Sequence, residues 1–129
     1  MDKLEYIRFL TGDIVYIHGS VRVISSCDGY YATYYDEDET LQEVNVNVIE
    51  GIPLTPEILQ KNGWEPTKES LGHSFKNKKY PRFALWSIND KWSFTIDGVM
   101  VCNTLSCLCY VHELQHLLFG LGLNSEMEV

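Results

Sequence analysis

Residues 83–96 read FALWSINDKWSFTI, in which two runs rich in aromatic and β-branched residues flank the turn signal Asn89-Asp90. A second turn signal, Asp97-Gly98, leads into the apolar run 99–102. Apolar runs joined by such short turns predict antiparallel hairpins. The region therefore predicts a three-stranded meander. Its bulky aromatic side chains are expected in the core of so small a chain: Phe83, Trp86, Trp92 and Phe94.

The preceding region, residues 9–51, contains shorter strand-like runs. Turn residues separate the runs 14–17, 21–24 and 30–35. The strict alternation of valine and asparagine over 44–48 predicts a half-buried strand with its valines inward. Strands this short cannot build a large sheet, and they suit a small SH3-like β-barrel.

Two helices are predicted. Thr55 is placed as an N-cap, Pro56 takes the first helical position, and Gly63 supplies a left-handed stop, so this helix has two turns at most. Residues 106–121 repeat apolar side chains at helical spacing, which predicts an amphipathic C-terminal helix.

Together these elements predict an α+β fold. Residues 1–51 would form the small barrel. Residues 52–129 would form the short connecting helix and the meander, packed under the C-terminal amphipathic helix. The two regions are expected to form one compact unit, and the tail from Asn124 to Val129 is expected to fray.

The charge balance limits the classes of partner. Eighteen acidic against ten basic residues give a net charge of -8. Attraction to phosphate dominates sequence-independent binding to DNA and to anionic membranes, so neither partner is expected. No apolar run approaches the roughly 20 residues of a membrane span, and the charged residues 1–6 do not suit a signal peptide. We therefore expect a soluble, cytoplasmic protein.

The cysteines do not follow the spacing of a C-x-x-C redox motif or of a zinc knuckle. Three of the four fall within a short segment, and the set is Cys27, Cys102, Cys107 and Cys109. Cysteines without such spacing are expected to be reduced and to pack as small apolar residues. They predict no metal or redox cofactor.

Residues 112–116, His-Glu-Leu-Gln-His, match the zinc-peptidase pattern H-E-x-x-H on the predicted C-terminal helix. His112 and His116 are one turn apart, so both imidazoles can reach one zinc ion. Glu113 would then act as general base on the metal-bound water. This pattern makes a zinc-dependent hydrolase one hypothesis.

A catalytic zinc also needs a third protein ligand. Phe119 and Gly122 stand where the metzincin extension requires glycine and histidine. The upstream histidines, His18 and His73, lie in turn-like settings that do not recommend them as ligands. We therefore prefer a solvated helix face without metal or cofactor, and we do not expect an enzyme.

Three segments carry a resemblance: LTGDIV at 10–15, IPLTPEILQKNGW at 52–64 and YVHELQHL at 110–117. The chain resembles a group of small, uncharacterised proteins encoded by phages and integrated mobile elements of Bacteroides-type bacteria. The resemblance implies that context and a bacterial host, but no activity. In that group asparagine usually stands where this chain has His116, which implies that the second histidine is peculiar to this sequence.

The favoured hypothesis is a non-enzymatic protein-interaction module that binds a host or phage protein. An acidic run would repel itself in a core and belongs at an exposed tip. Tyrosines beside it suit a partner with a basic surface. The candidate interaction residues are Tyr31, Tyr35, Asp36, Glu37, Asp38 and Glu39. The alternative is that these tyrosines, with Tyr30 and Tyr34, are ordinary strand residues with one face buried.

A further alternative is nucleic-acid binding through the basic residues around Pro81, namely Lys76, Lys78, Lys79 and Arg82. Four bases in so acidic a chain more often solubilise a hairpin. An acidic protein can also mimic DNA, but here the charge is concentrated in residues 36–39 rather than spread in rows.

Overall fold

The described part of the chain folds into three antiparallel sheets and two α-helices, which confirms the α+β class. The structure is a computed structural model that describes residues 9–68, 73–89, 91–100 and 108–129. The strands are β1 (Ile14–Ile17), β2 (Ser20–Val23), β3 (Ser26–Cys27), β4 (Tyr31–Tyr35), β5 (Leu41–Asn45), β6 (Ile49–Gly51), β7 (Trp64–Pro66), β8 (Ser74–Asn77), β9 (Phe83–Ile88), β10 (Lys91–Ile96) and β11 (Val99–Met100). The helices are α1 (Pro56–Lys61) and α2 (Val111–Gly120).

The chain divides into two units. The first contains the described residues up to Ile52 together with Val111–Glu126. The second contains the described residues of Pro53–Tyr110 together with Met127–Val129. The sequence groups α2 with residues 52–129, whereas in the structure α2 contacts β1 and is part of the first unit. Apolar spacing shows which face of a helix is buried, but not which sheet buries it.

Two three-stranded sheets build the first unit, with strand orders β2-β1-β6 and β3-β4-β5. His18 and Gly19 join β1 to β2 with positive φ angles of 52° and 79°, which suit the twist of a tight hairpin. Side chains from both sheets share one buried cluster, formed by Phe9, Val15, Ile17, Ile24, Ala32, Tyr34, Val46 and Ile49. The described strands form separate sheets and show no closed SH3-like barrel.

The alternating segment 44–48 is only partly a strand. β5 ends at Asn45, and a 3₁₀ turn covers Val46–Val48. The side-chain oxygen of Asn45 accepts the N–H of Asn47 at 2.9 Å and caps this turn. An asparagine that bonds its own backbone competes with the strand ladder, and a period-two pattern does not reveal that competition.

Helix α2 buries its apolar stripe: Val111 and Leu114 are inaccessible to solvent, and Leu118 is 3% exposed. The helix ends at Gly120. Just beyond it Gly122 has a φ of 75°, and the N–H of Leu123 donates to the carbonyl of Leu118 at 2.9 Å, a glycine-type helix end. Neither helix of the described residues is long and apolar enough to cross a bilayer.

The second unit is built on a five-stranded sheet with strand order β11-β10-β9-β8-β7. The expected meander is confirmed as β9, β10 and β11, and β7 and β8 extend it on one side. Phe94 and Trp92 are buried, and the Trp92 indole donates to the carbonyl of Leu54 at 2.9 Å. Trp86 is 40% exposed, contrary to expectation, although both Ala84 and Leu85 before it on β9 are buried.

The ends of α1 follow the sequence signals. The hydroxyl of Thr55 accepts the N–H of Ile58 at 3.3 Å, Pro56 opens the helix, and Gly63 has a φ of 86°. The C-terminal helix, in contrast, begins at Val111 rather than at residue 106. Leu108 forms a β-bridge instead, exchanging two backbone hydrogen bonds with Trp92.

The tail is anchored rather than frayed. The side chain of Asn62 donates to the carbonyl of Glu128 at 2.8 Å and accepts the N–H of Glu128 at 2.8 Å. Two reciprocal hydrogen bonds hold the backbone of the tail in the second unit. Contacts between residues so distant in sequence leave no local pattern.

Replacing Gly63 by alanine is expected to lower the free energy of unfolding by about 1–2 kcal/mol. An alanine resists the φ of 86°, and its Cβ would lie 3.3 Å from Nδ2 of Asn77. The matched control is Gly120→Ala, where a Cβ meets nothing within 4 Å and φ is not positive, so stability should stay equal or rise by about 0.5 kcal/mol. Urea unfolding followed by circular dichroism measures both variants, and equal stability of Gly63→Ala and the parent chain would contradict the prediction.

Candidate functional site

The two histidines of the H-E-x-x-H match are packed against the segment that precedes β1. His112 is only 4% exposed, and its ring centroid lies 4.9 Å from that of Phe9 and 5.7 Å from that of His116. His116 is half-buried. The expected solvated helix face is therefore wrong. The helical pattern gives no sign of this, because Phe9 lies about a hundred positions away in the sequence.

His116 and Asp13 form a polar pair inside the first unit. The Nε2 atom of His116 lies 2.9 Å from Oδ1 and 2.8 Å from Oδ2 of Asp13. Asp13 directly precedes β1 and is buried, and its Oδ2 also accepts the N–H of Leu10 at 2.8 Å. A buried carboxylate needs donors of this kind to offset its lost hydration. The sequence predicts only a turn at residues 11–13 and misses this role of Asp13.

Gln115, a variable position of the motif, holds α2 to the first strand. Its Oε1 accepts the N–H of Ile14 at 2.9 Å. Its Nε2 donates to the carbonyls of Gly12 at 3.0 Å and Ser125 at 3.1 Å. The side chain is buried and bridges three backbone positions. The sequence gives one sign of this role, because the amide of Gln115 follows Leu114 on the apolar side of the predicted helix.

The geometry does not favour the zinc hydrolase. Over residues 9–68, 73–89, 91–100 and 108–129, no three His, Cys, Asp or Glu side chains are grouped so that they could hold one metal ion. The upstream histidines, His18 and His73, are both exposed. His116 already bonds Asp13, and the candidate base Glu113 is half-buried.

The acidic run forms an exposed turn between β4 and β5 that its first residue orders. Oδ1 of Asp36 accepts the N–H groups of Thr40 at 3.0 Å and Asp38 at 2.9 Å, and Oδ2 accepts the side-chain amide of Gln42 at 2.9 Å. The hydrogen bonds from Thr40 and then Gln42 lower the pKa of Asp36 below its ordinary range. Glu39 takes a positive φ of 59° to complete the turn.

Arg22 connects β2 to this turn. Its Nη2 lies 2.6 Å from Oε1 of Glu37, and its guanidinium carbon lies 5.3 Å from the ring centroid of Tyr34. A backbone N–H and then Arg22 lower the pKa of Glu37. The Glu37 side chain is 74% exposed, but Arg22 of the same unit compensates part of its negative charge.

The tyrosines divide between the two faces of β4, because side chains alternate along a strand. Tyr34 is 8% exposed and belongs to the core, whereas Tyr31 is 49% and Tyr35 is 58% exposed on the outer face. Leu41 is the register partner of Tyr35 and is 52% exposed. We define the tyrosine–acid surface as Tyr31, Tyr35, Leu41 and residues 36–39.

Two of the four basic residues around Pro81 have acidic neighbours. Lys76 stands directly opposite Glu65 in the β7–β8 pair. Arg82 binds Asp97 with its Nη2 2.6 Å and its Nε 3.0 Å from Oδ2, and this pair raises the pKa of Arg82 and lowers that of Asp97. Acids next to these bases reduce the attraction for phosphate, so the geometry does not favour nucleic-acid binding.

The cysteines add little to the candidate site. Cys27 is a half-buried free thiol, as expected for a reduced cysteine. Cys109 is also half-buried. Cys102 and Cys107 lie outside the described residues.

Comparison of the chain with models of protein families, with curated proteins and with solved structures found no match. The functional argument therefore rests on the geometry of the chain itself.

Replacing Gln115 by methionine is expected to lower the free energy of unfolding by about 2 kcal/mol or more. Methionine keeps the length of the side chain but leaves the N–H of Ile14 and two carbonyls without this partner. The control is Gln60→Met at an exposed position of α1, where the change should stay within about 0.5 kcal/mol. Urea unfolding read at the helix signal of circular dichroism compares them, and similar losses in both variants would refute the prediction.

The lowered pKa of Asp36 has a defined sign. Its carboxylate stabilises the folded turn at pH values above the ordinary 3.8, and this contribution is lost as pH falls through the lowered pKa. The amide proton shift of Thr40 should titrate with a midpoint below 3.8. Asp36→Asn should abolish this titration and Asp38→Asn should preserve it, as NMR spectra collected across acidic pH will show. A midpoint at or above 3.8 would disagree with the hydrogen-bonded turn.

Proposed function

We propose that the first unit is a non-enzymatic protein-interaction module that binds its partner through the tyrosine–acid surface. The observation that carries the proposal is the exposure of Tyr31 and Tyr35 on one face of β4, while Tyr34 between them fills the core. The strand needs only one face for the core. Exposed aromatic side chains that the core does not use are the typical anchors of protein interfaces.

The anchors are held in place before any partner binds. Tyr35 pairs with Leu41 across the β4–β5 ladder, and Tyr31 pairs with Asn45. The carboxylate of Asp36 orders the backbone of the turn between β4 and β5. A surface of this kind loses little conformational entropy on binding, which favours affinity.

A neighbouring groove lined by both polar and apolar groups extends the surface. It has a volume of about 420 Å³, and its lining includes Val21, Val23 and Tyr35 together with Arg22 and Ser25. Among the described strands, β2 lies at the edge of its sheet, so an extended segment of a partner can add a strand there. Val21 and Val23 would contact apolar side chains of that segment.

The charge of the turn selects a basic partner. Glu37, Asp38 and Glu39 are all exposed. Asp36 is bonded within the turn and Glu37 is paired with Arg22, so Asp38 and Glu39 carry the charge of the run that these contacts do not compensate. Lysine or arginine side chains of a partner would complement them, increase the association rate and make binding salt-dependent. In keeping with the resemblance noted above, we propose a phage or host protein of the bacterial cytoplasm as the partner.

Photo-crosslinking tests the location of the surface. Benzoylphenylalanine in place of Tyr35 is expected to form covalent products with basic protein segments in lysates of a Bacteroides-type host, with or without phage infection. The matched control carries the same group in place of Trp86, an exposed aromatic residue of the second unit. Mass spectrometry identifies the products, and identical products from both positions, or none from position 35, would contradict the proposal.

Variants then test the roles of apolar contact and charge with the crosslinked partner. Replacing both Tyr31 and Tyr35 by alanine should weaken binding by about tenfold or more. Replacing Asp38 and Glu39 by lysine should also weaken it, whereas lysine at the exposed positions Glu50 and Glu57 changes net charge equally and should affect it less.

A further inference from the structure

The first unit also contains a cavity away from the tyrosine–acid surface. Its volume is about 530 Å³, and the turn before β1, the exposed end of α2 and the segment after it line the cavity. Cavities of about 300–1,000 Å³ are the usual size of small-molecule sites in proteins. The proposed binding module does not use this cavity.

The cavity wall is mostly apolar. Leu10 contributes from the turn, and Phe119, which is 74% exposed, contributes from the last turn of α2. Side chains this exposed bury little apolar surface when the chain folds. An apolar ligand between them would remove both from water, which is favourable. Phe119 offers a flat face for an aromatic ring.

His116 gives the cavity a polar group with a fixed orientation. Both oxygens of the buried Asp13 bind its Nε2. An ionised carboxylate only accepts hydrogen bonds, so Asp13 fixes a proton on Nε2 and leaves Nδ1 for other groups. Nδ1 accepts in the neutral ring and donates in the protonated ring, and a hydroxyl group, which does both, suits either state.

The charges around the cavity exclude anions. Asp13 and Glu126 both line it, and the whole chain carries a net charge of -8. A carboxylate or phosphate would meet repulsion there and lose hydration on entry. A neutral ligand with an aromatic ring and one hydroxyl satisfies the apolar wall and His116 without that penalty.

We propose that this cavity is a binding site for a small neutral aromatic molecule with a hydroxyl group. The ring packs between Leu10 and Phe119, and the hydroxyl bonds Nδ1 of His116. The buried Asp13 acts as a positioning residue that holds the imidazole in its tautomer and orientation. The Gln115 amide, bonded to Gly12 and Ser125, supports the backbone on both sides of the site.

NMR titration with 4-methylphenol tests the proposal on the full chain. Saturable shifts are expected at Gly12, Phe119 and Ser125 and at the ring nitrogens of His116, with a Kd of about 10 mM or below for so small a ligand. Toluene, which lacks the hydroxyl, should bind at least about fivefold more weakly. 4-Methylbenzoate, which carries a charge, should bind at least about tenfold more weakly.

Two variants make the test specific. Phe119→Ala, at a largely exposed position that should not disturb folding, is expected to weaken 4-methylphenol by about threefold or more. His116→Phe should reduce 4-methylphenol to the affinity of toluene, while His73→Phe, at an exposed histidine of the second unit, should leave it unchanged. If His116→Phe fails to fold, the comparison of the three ligands on the parent chain and Phe119→Ala decides the question.

The proposal is overturned by any of three results. These are no saturable shift up to about 50 mM 4-methylphenol, equal affinity for toluene and 4-methylphenol, or an unchanged affinity in Phe119→Ala.

Discussion

The buried amide of Gln115 is the contact on which the first unit depends. It accepts the N–H of Ile14 at the start of the first strand. It also donates to the carbonyl of Gly12, before that strand, and to the carbonyl of Ser125, after the helix. An orphaned backbone N–H in such a place would cost a large part of the stability of a small unit. Next to it, the pair of His116 and Asp13 makes the same connection between helix and turn. Two residues of a helical segment that resembles a catalytic motif, Gln115 and His116, thus attach the helix to the turn and to the first strand.

This use explains why the helix motif is a poor guide to chemistry here. The H-E-x-x-H spacing places two imidazoles on one side of a helix, and that is equally useful for packing against Phe9 and for binding the Asp13 carboxylate. Several exposed apolar side chains lie instead on β2, β4 and β5, on short hairpins whose core needs only one face. Within the first unit, the motif side of the helix therefore serves the fold, whereas the outer faces of the hairpins take no part in the core.

The sequence predicts those features that local physics determines. The hairpins at His18-Gly19 and Asp97-Gly98, the caps of α1 and the exposed acidic turn all follow from short-range rules. The packing position of α2 and the anchoring of the tail do not follow from short-range rules, because both depend on contacts between residues about seventy to a hundred positions apart. The division of the tyrosines between core and surface was left open by the sequence, since either face of β4 could have been buried. The role of Asp13 is hidden because aspartate before a strand is an ordinary turn residue.

The path of the chain through the first unit has a consequence for folding. The chain leaves this unit after Ile52 and returns at Val111, and the N–H of Val111 donates to the carbonyl of Ile52 at 2.8 Å. Everything between is an insertion whose two ends meet at neighbouring backbone atoms. A ribosome makes the strands of the first unit well before the helix that completes it, and this closure is a long-range step of the kind that slows folding. Until α2 has been synthesised and has packed against the first strand, the backbone around Ile14 and the carboxylate of Asp13 remain hydrated. A chaperone could bind the incomplete unit during this interval.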